Sequence, residues 1–167
     1  TMDDKVRKRT EFIVETEPGC QAIATLYSYR KELMIPPTGT CNLYVGHVSS
    51  QDEMTRHTKL RWQLLKPNID LIAVDPRGMG QSLAKTCGST QFFEPYGADF
   101  LYASLFEMFN ESYVGRRVFD VMRVIDFLRA NGCEKVNLVG RGTGSVIVAY
   151  AALLHPSKPD ARLIQYL

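Results

Sequence analysis

Apolar residues along this chain fall into short runs of two-residue period and longer runs that repeat every three to four residues, with turn residues between them. Glu11 to Glu15 and Gln21 to Tyr27 are β-prone runs on either side of Glu17-Pro18-Gly19, so they predict an N-terminal hairpin. Asn42 to Gly46 predicts a third strand. Ser50-Gln51-Asp52-Glu53 follows as a capping-box pattern, in which a hydroxyl and a carboxylate satisfy the orphan amides of a first helical turn. The helix is expected to run to about Leu65, with Leu60 and Leu64 on one face and Trp62 and Leu65 beside it, and to end at Pro67-Asn68.

Ile69 to Asp75 is apolar on both faces except at Asp70, the pattern of a parallel strand covered by helices on both sides. Val118, Val121, Met122, Ile125 and Leu128 repeat at helical spacing. Arg116, Asp120, Arg123 and Asp126 take the polar side, expected as a solvated face with i,i+4 pairs such as Arg116 with Asp120. Asn131-Gly132 stops that helix because either residue tolerates a left-handed cap. A strand from Val136 to Val139, a glycine-rich turn and a helix from Val146 to Leu154 come next, closed by His155-Pro156, and Ala161 to Leu167 predicts one more strand. Phe92, Phe93, Tyr96, Phe100, Tyr102, Phe106 and Phe109 crowd the preceding connection, where they could form a lid. The helical spacing of Leu101, Leu105 and Met108 favours ordinary packing for this stretch instead.

After the hairpin, strands and helices alternate, which requires right-handed crossovers and a mostly parallel sheet in an α/β fold. No repeat or low-complexity linker divides the 167 residues, so a single domain is expected over 1–167. A net charge of +2 on a mixed-sign surface gives no case for nucleic acid. The apolar run Val146 to Leu154 falls short of the roughly 20 residues a membrane span needs. Thr1-Met2-Asp3-Asp4-Lys5 has no apolar core of the signal-peptide kind, and a soluble protein of open compartment is expected. Cys20, Cys41, Cys87 and Cys133 show no C-x-x-C spacing, which leaves no support for a metal or a redox motif. They are expected as unpaired thiols, with a bridge from Cys20 or Cys41 only in a secreted protein.

The chemistry concentrates in Val139-Gly140-Arg141-Gly142-Thr143-Gly144-Ser145, a glycine turn between a strand and a helix. That context suits a G-x-S-x-G nucleophile elbow, with Gly140 and Gly144 as the outer glycines, but Gly142 occupies the serine position. Asp75-Pro76-Arg77-Gly78-Met79-Gly80-Gln81-Ser82 resembles the D-x-R-G-x-G-x-S turn after the fourth strand of α/β hydrolases. With this elbow and Gly115-Arg116-Arg117-Val118-Phe119-Asp120, the chain most resembles their acetyl xylan esterase and dienelactone hydrolase branch. The resemblance covers about residues 10 to 167 and implies an α/β-hydrolase-like, C-terminally truncated fold. It implies a sheet order that places Ile69 to Asp75 between Gln21 to Tyr27 and Asn42 to Gly46, with Val136 to Val139 beyond the latter.

In the family the acid and the histidine of the triad follow the nucleophile. Here the histidines are His47, His57 and His155, none placed as the base, so the chain is expected to be inactive alone. Ser145, within the first helical turn, is not expected to replace the missing nucleophile. The resemblance implies an oxyanion hole from the backbone amides of Thr143 and of His47 or Val48, able to hold a small ester or carboxylate. For His47 itself the ordinary expectation is a loop histidine with no ligand role. Asp75 and Arg77 sit at the carboxyl end of a strand, where open sheets bind ligands. They are expected to pin the turn, the carboxylate accepting from loop amides and the guanidinium bridging to a neighbouring segment.

Three functions remain open on these residues. One is a carboxylic-ester-hydrolase domain of acetyl xylan esterase type. The second is a noncatalytic hydrolase-like domain that binds a ligand or partner. The third is a dinucleotide-binding unit, because Gly140-x-Gly142-x-x-Ser145 nearly matches G-x-G-x-x-G/A, although its acidic partner Asp160 precedes the next strand. No cofactor is expected under the first two. The strand at Ala161 to Leu167 would leave an unpaired edge, so a homo-oligomer, or association with a missing C-terminal half, is expected.

Overall fold

The computed structural model describes residues 8–30, 39–83 and 97–164. Phe92, Phe93, Tyr96, Cys87 and the stretch 165–167 of the expected last strand lie outside them. The hairpin forms from β1 (Lys8–Glu17) and β2 (Cys20–Ser28), turning at Gly19 with φ +78°. It is followed by β3 (Gly39–Val45), α1 (Ser50–Arg56), α2 (Thr58–Leu64), β4 (Ile69–Asp75), α3 (Gly97–Met108), α4 (Tyr113–Ala130), β5 (Cys133–Arg141), α5 (Thr143–Leu154) and β6 (Ala161–Ile164).

These strands form one sheet in the order β1-β2-β4-β3-β5-β6. The hairpin runs antiparallel to β4, while β3, β4, β5 and β6 are mutually parallel where they pair. The expected order therefore holds, with β4 between β2 and β3. Alternation along β4 shows why it is apolar on both faces. Leu71 and Ala73 join Tyr27, Tyr44, Met54 and Leu65 beneath α1 and α2. Ile72 and Val74 point the other way, into a larger core with Leu43, Val121, Ile125 and Ile147 beneath α4 and α5. Asp70, the polar exception, is buried and takes the Ser28 hydroxyl at 2.6 Å.

Four local expectations need correction. The helix expected from Ser50 to Leu65 breaks at His57 (φ −102°, ψ 69°). The buried Arg61 guanidinium donates to the Met54 carbonyl near the break at 3.2 Å, a tertiary contact no periodicity reveals. The capping serine is Ser49, which accepts from the Asp52 amide, so Ser50 and Glu53 are released for other partners. The helix α4 is not solvated at Asp120, which is fully buried and paired with Arg77, while Arg116 reaches Glu17 and Glu111. In α3, Tyr102 and Phe106 pack on Tyr113, but Leu105 and Met108 are exposed, contrary to the packing expected from their spacing.

Candidate functional site

The carboxyl ends of β3, β4 and β5 meet at one point, and the glycine turn lies there. Gly142 joins β5 to α5 with φ +59° and ψ −126°, a backbone region that L side chains rarely adopt and glycine enters freely. The flanking glycines answer to close approach. A Cβ on Gly140 would come within 2.6 Å of the Gly144 carbonyl oxygen, and one on Gly144 would run into the carbonyl oxygens of Val45 and Gly46. The helix α5 can therefore enter against the end of β3 only with glycine at both positions.

A Cβ on Gly142 would not point into open space. It would lie 2.6 Å from His47 Nδ1 and 2.8 Å from His47 Cβ and Cγ. His47 Nδ1 accepts the Thr143 amide at 3.1 Å and sits 3.0 Å from the Thr143 hydroxyl. An amide can only donate, so Nδ1 is the acceptor and the ring proton resides on Nε2.

The other expected oxyanion donors are likewise engaged. The His47 amide donates to Glu53 Oε1 at 2.6 Å, and the Val48 amide reaches the same oxygen at 3.4 Å. Glu53 also takes the buried Tyr44 hydroxyl at 2.5 Å and lies 3.7 Å from Arg141. Burial, reinforced by the bond to Glu53, holds the Tyr44 pKa well above the usual phenol range. The carboxylate thus lies where two loop amides, a phenol and a guanidinium converge. The sequence signalled a polar role for Glu53 only through S-x-x-E, which assigned it to the helix cap.

Asp75 and Arg77 take the pinning geometry. Asp75 accepts the Ser50 amide at 2.6 Å and the Gln81 amide at 3.0 Å, with the Ser49 hydroxyl at 3.4 Å. A Cβ on Gly80 would collide with its carboxylate, so the loop closes tightly over it. Burial raises the Asp75 pKa above its ordinary value, against the opposing pull of these donors. Arg77 bonds Asp120 through Nε at 2.8 Å and Nη2 at 2.6 Å and also reaches Glu17. Both partners lie on other elements, so Arg77 joins the hairpin to α4.

The remaining candidates sit apart. Ser145 donates its amide to the Gly142 carbonyl at 3.0 Å and belongs to α5. His57 marks the break between α1 and α2. His155 caps α5, with Nε2 3.1 Å from Asp126 and Nδ1 2.7 Å from the Ser157 hydroxyl. The Ser157 amide also donates to Nδ1, which marks a local helix-closing motif. No group of three or more His, Cys, Asp or Glu suited to a metal occurs among the described residues. No helix among them is long and apolar enough to cross a membrane.

Sheet order, crossover geometry and the turn at Gly142 define the α/β-hydrolase fold. Solved structures with the same arrangement include epoxide hydrolase A of Mycobacterium thermoresistibile, at TM-score 0.56 and 19% identity, over 95% of this chain and 39% of that one. They include the α/β hydrolase GrgF of a Penicillium, at TM-score 0.61 and 13% identity, over 95% of this chain and 45% of the other. A Bacteroides fragilis protein bearing the provisional name acetyl xylan esterase aligns at TM-score 0.67 and 11% identity, over 87% of this chain and 41% of its own. The chain thus spans about two fifths of the length of these structures. No family model and no curated protein matches the sequence.

Proposed function

We propose that this chain is a unit of carboxylic-ester-hydrolase type, of acetyl xylan esterase-like descent, in which the nucleophile elbow has lost its catalytic role. The observation that carries this reading is the His47 ring against Gly142. Where an attacking side chain would project there is no reactive atom, and the imidazole takes up the space and binds the Thr143 amide. Glycine offers no group to form an acyl intermediate. The amides of His47 and Val48, which an oxyanion would need, serve Glu53. An ester or carboxylate entering here must displace both side chains. The test is hydrolysis of an activated acetate ester, expected at no more than the rate of a comparable protein surface.

A second reading, a noncatalytic domain that binds a protein partner, has its own support on another face. Val146, Tyr150, Leu153 and Leu154 of α5 and Leu163 of β6 are each about half exposed or more, with relative exposures between 49% and 63%. Beside them a groove of ≈ 270 Å³ is lined by Ser112, Val114, Gly115, Val118, Tyr150 and Leu154. We propose that a second copy, or further chain of the same protein, covers this face. The dinucleotide reading finds less support, because Asp160 lies ahead of β6 and pairs with Lys135 at 2.8 Å.

A further inference from the structure

Cys41 and Cys133 lie 92 residues apart in sequence, yet their sulfurs approach to 3.1 Å in the core between β3 and β5. Regular pairing would not bring them together. Cys41 pairs with Val136, three residues from Cys133, an odd spacing that in an unbroken strand turns the two side chains to opposite faces. The register shifts between Gly39 and Thr40, however, so that Gly39 opposes Cys133 and Thr40 opposes Lys135. The extra residue, Glu134, is exposed, and the bulge returns Cys133 to the face that holds Cys41 and Val136.

We propose that Cys41 and Cys133 are an oxidation site, at which a peroxide converts the two thiols to a disulfide that clips β3 to β5. Both are free thiols. Cys133, itself buried at 3% exposure, is the point of entry because it lies between the exposed turn Asn131-Gly132 and exposed Glu134 and Lys135, whereas Cys41 is wholly enclosed. The short contact between the two sulfurs, with Cys133 nearer the solvent, sets Cys133 as the thiol first oxidised and Cys41 as the one that resolves it.

The Cys133 thiolate attacks one peroxide oxygen, which breaks the O–O bond and leaves a sulfenic acid and hydroxide. Hydroxide takes a proton to become water. The Cys41 sulfur then attacks the sulfenic sulfur, the S–S bond forms, the S–O bond breaks, and a second water leaves with the Cys41 proton. Two electrons pass from the thiol pair to the peroxide. The strands so joined are those that lead into His47 and Gly142.

The test is treatment of the folded chain with a small excess of hydrogen peroxide, alkylation of remaining thiols and non-reducing peptide mapping. A variant carrying Cys20→Ser and Cys87→Ser is treated in parallel to remove competing thiols. The expected result is a Cys41–Cys133 cross-linked peptide in both proteins, reversed by dithiothreitol, with a melting temperature several degrees above that of the reduced chain. Recovery of Cys41 and Cys133 as alkylated thiols, or of Cys133 as sulfinic acid with Cys41 unlinked, overturns the proposal. A cross-link that leaves the melting temperature unchanged or lower overturns the claim that it clips the sheet.

Discussion

His47 Nδ1 accepts the Thr143 backbone amide at 3.1 Å, so the first amide of the helix after the glycine turn is closed by a side chain from the loop after β3. The contact joins two loops 96 residues apart in sequence, beside the glycine turn at residue 142. It also explains why glycine is accommodated at residue 142, since the imidazole occupies the room a side chain would need.

Gly142→Ser is expected to destabilise the chain and to leave it inactive. A non-glycine residue at this backbone geometry costs about 1–3 kcal/mol. Displacing the ring adds to that, because the new Cβ would lie 2.6 Å from Nδ1. Thermal unfolding should drop by about 2–4 °C for each kcal/mol lost. Coupling to His47 distinguishes this cause from simple backbone strain: in a His47→Ala background the serine should cost measurably less. Equal costs in the two backgrounds would show that the ring does not govern the site.

Glu53→Ala should loosen the loop from Gly46 to Val48. The substitution leaves the amides of His47 and Val48 and the Tyr44 hydroxyl without their acceptor. Stranding a buried partner such as Tyr44 costs about 1–3 kcal/mol. Hydrogen exchange should accelerate at His47 and Val48 while the amides of β4 stay protected. Exchange unchanged at these two amides would assign the carboxylate a lesser role.

Asp75→Asn is expected to destabilise the turn between β4 and the 3-10 segment Gly80–Ser82, because an amide group cannot accept at both oxygens from Ser50 and Gln81. The pH dependence follows from burial, the largest influence, which raises the Asp75 pKa in the folded chain. A carboxyl with a raised folded-state pKa binds its proton more readily folded than unfolded. Its contribution to stability therefore grows as pH falls through the raised value and levels off below the unfolded value of about 4. The melting-temperature gap between parent and Asn variant should widen on acidification. A narrowing gap would show that the loop amides dominate and hold the carboxylate ionised.

The strands were legible because their apolar runs are bounded by turns: β4 is apolar on both faces except at Asp70, and Gly19 marks the hairpin turn, whereas the order of the strands in the sheet came from the resemblance to α/β hydrolases. Asp75 and Arg77 were legible as turn-pinning residues because a short carboxylate and a long guanidinium have few other uses at a strand end. The partners that define the site were not. Glu53 follows Ser50 by three residues, and that spacing alone cannot distinguish a helix cap from a carboxylate turned back toward His47 and Val48. The contact of His47 with Thr143 and the burial of Asp120 depend on distant loops and helices meeting, which local periodicity does not encode.

The apolar face of α5 and the edge strand β6 lead to an expectation about association. At micromolar concentration, light scattering coupled to size exclusion should find the chain in dimers or larger species. Tyr150→Lys with Leu154→Glu should shift it toward monomer, because charges within an apolar contact disfavour pairing. A monomeric parent chain would remove the support for a covered face.

The proposal that the glycine turn at residue 142 is not a catalytic elbow is checked by incubating the parent chain with an activated acetate ester and a fluorophosphonate. Turnover and intact mass are followed together. In a serine hydrolase the loss of the nucleophile costs about a millionfold in turnover. Background hydrolysis and an unmodified mass are expected, with Ser145 unlabelled in the peptide map. A burst of ester cleavage, with a stoichiometric adduct on Ser145 or on any residue beside Gly142, would contradict it.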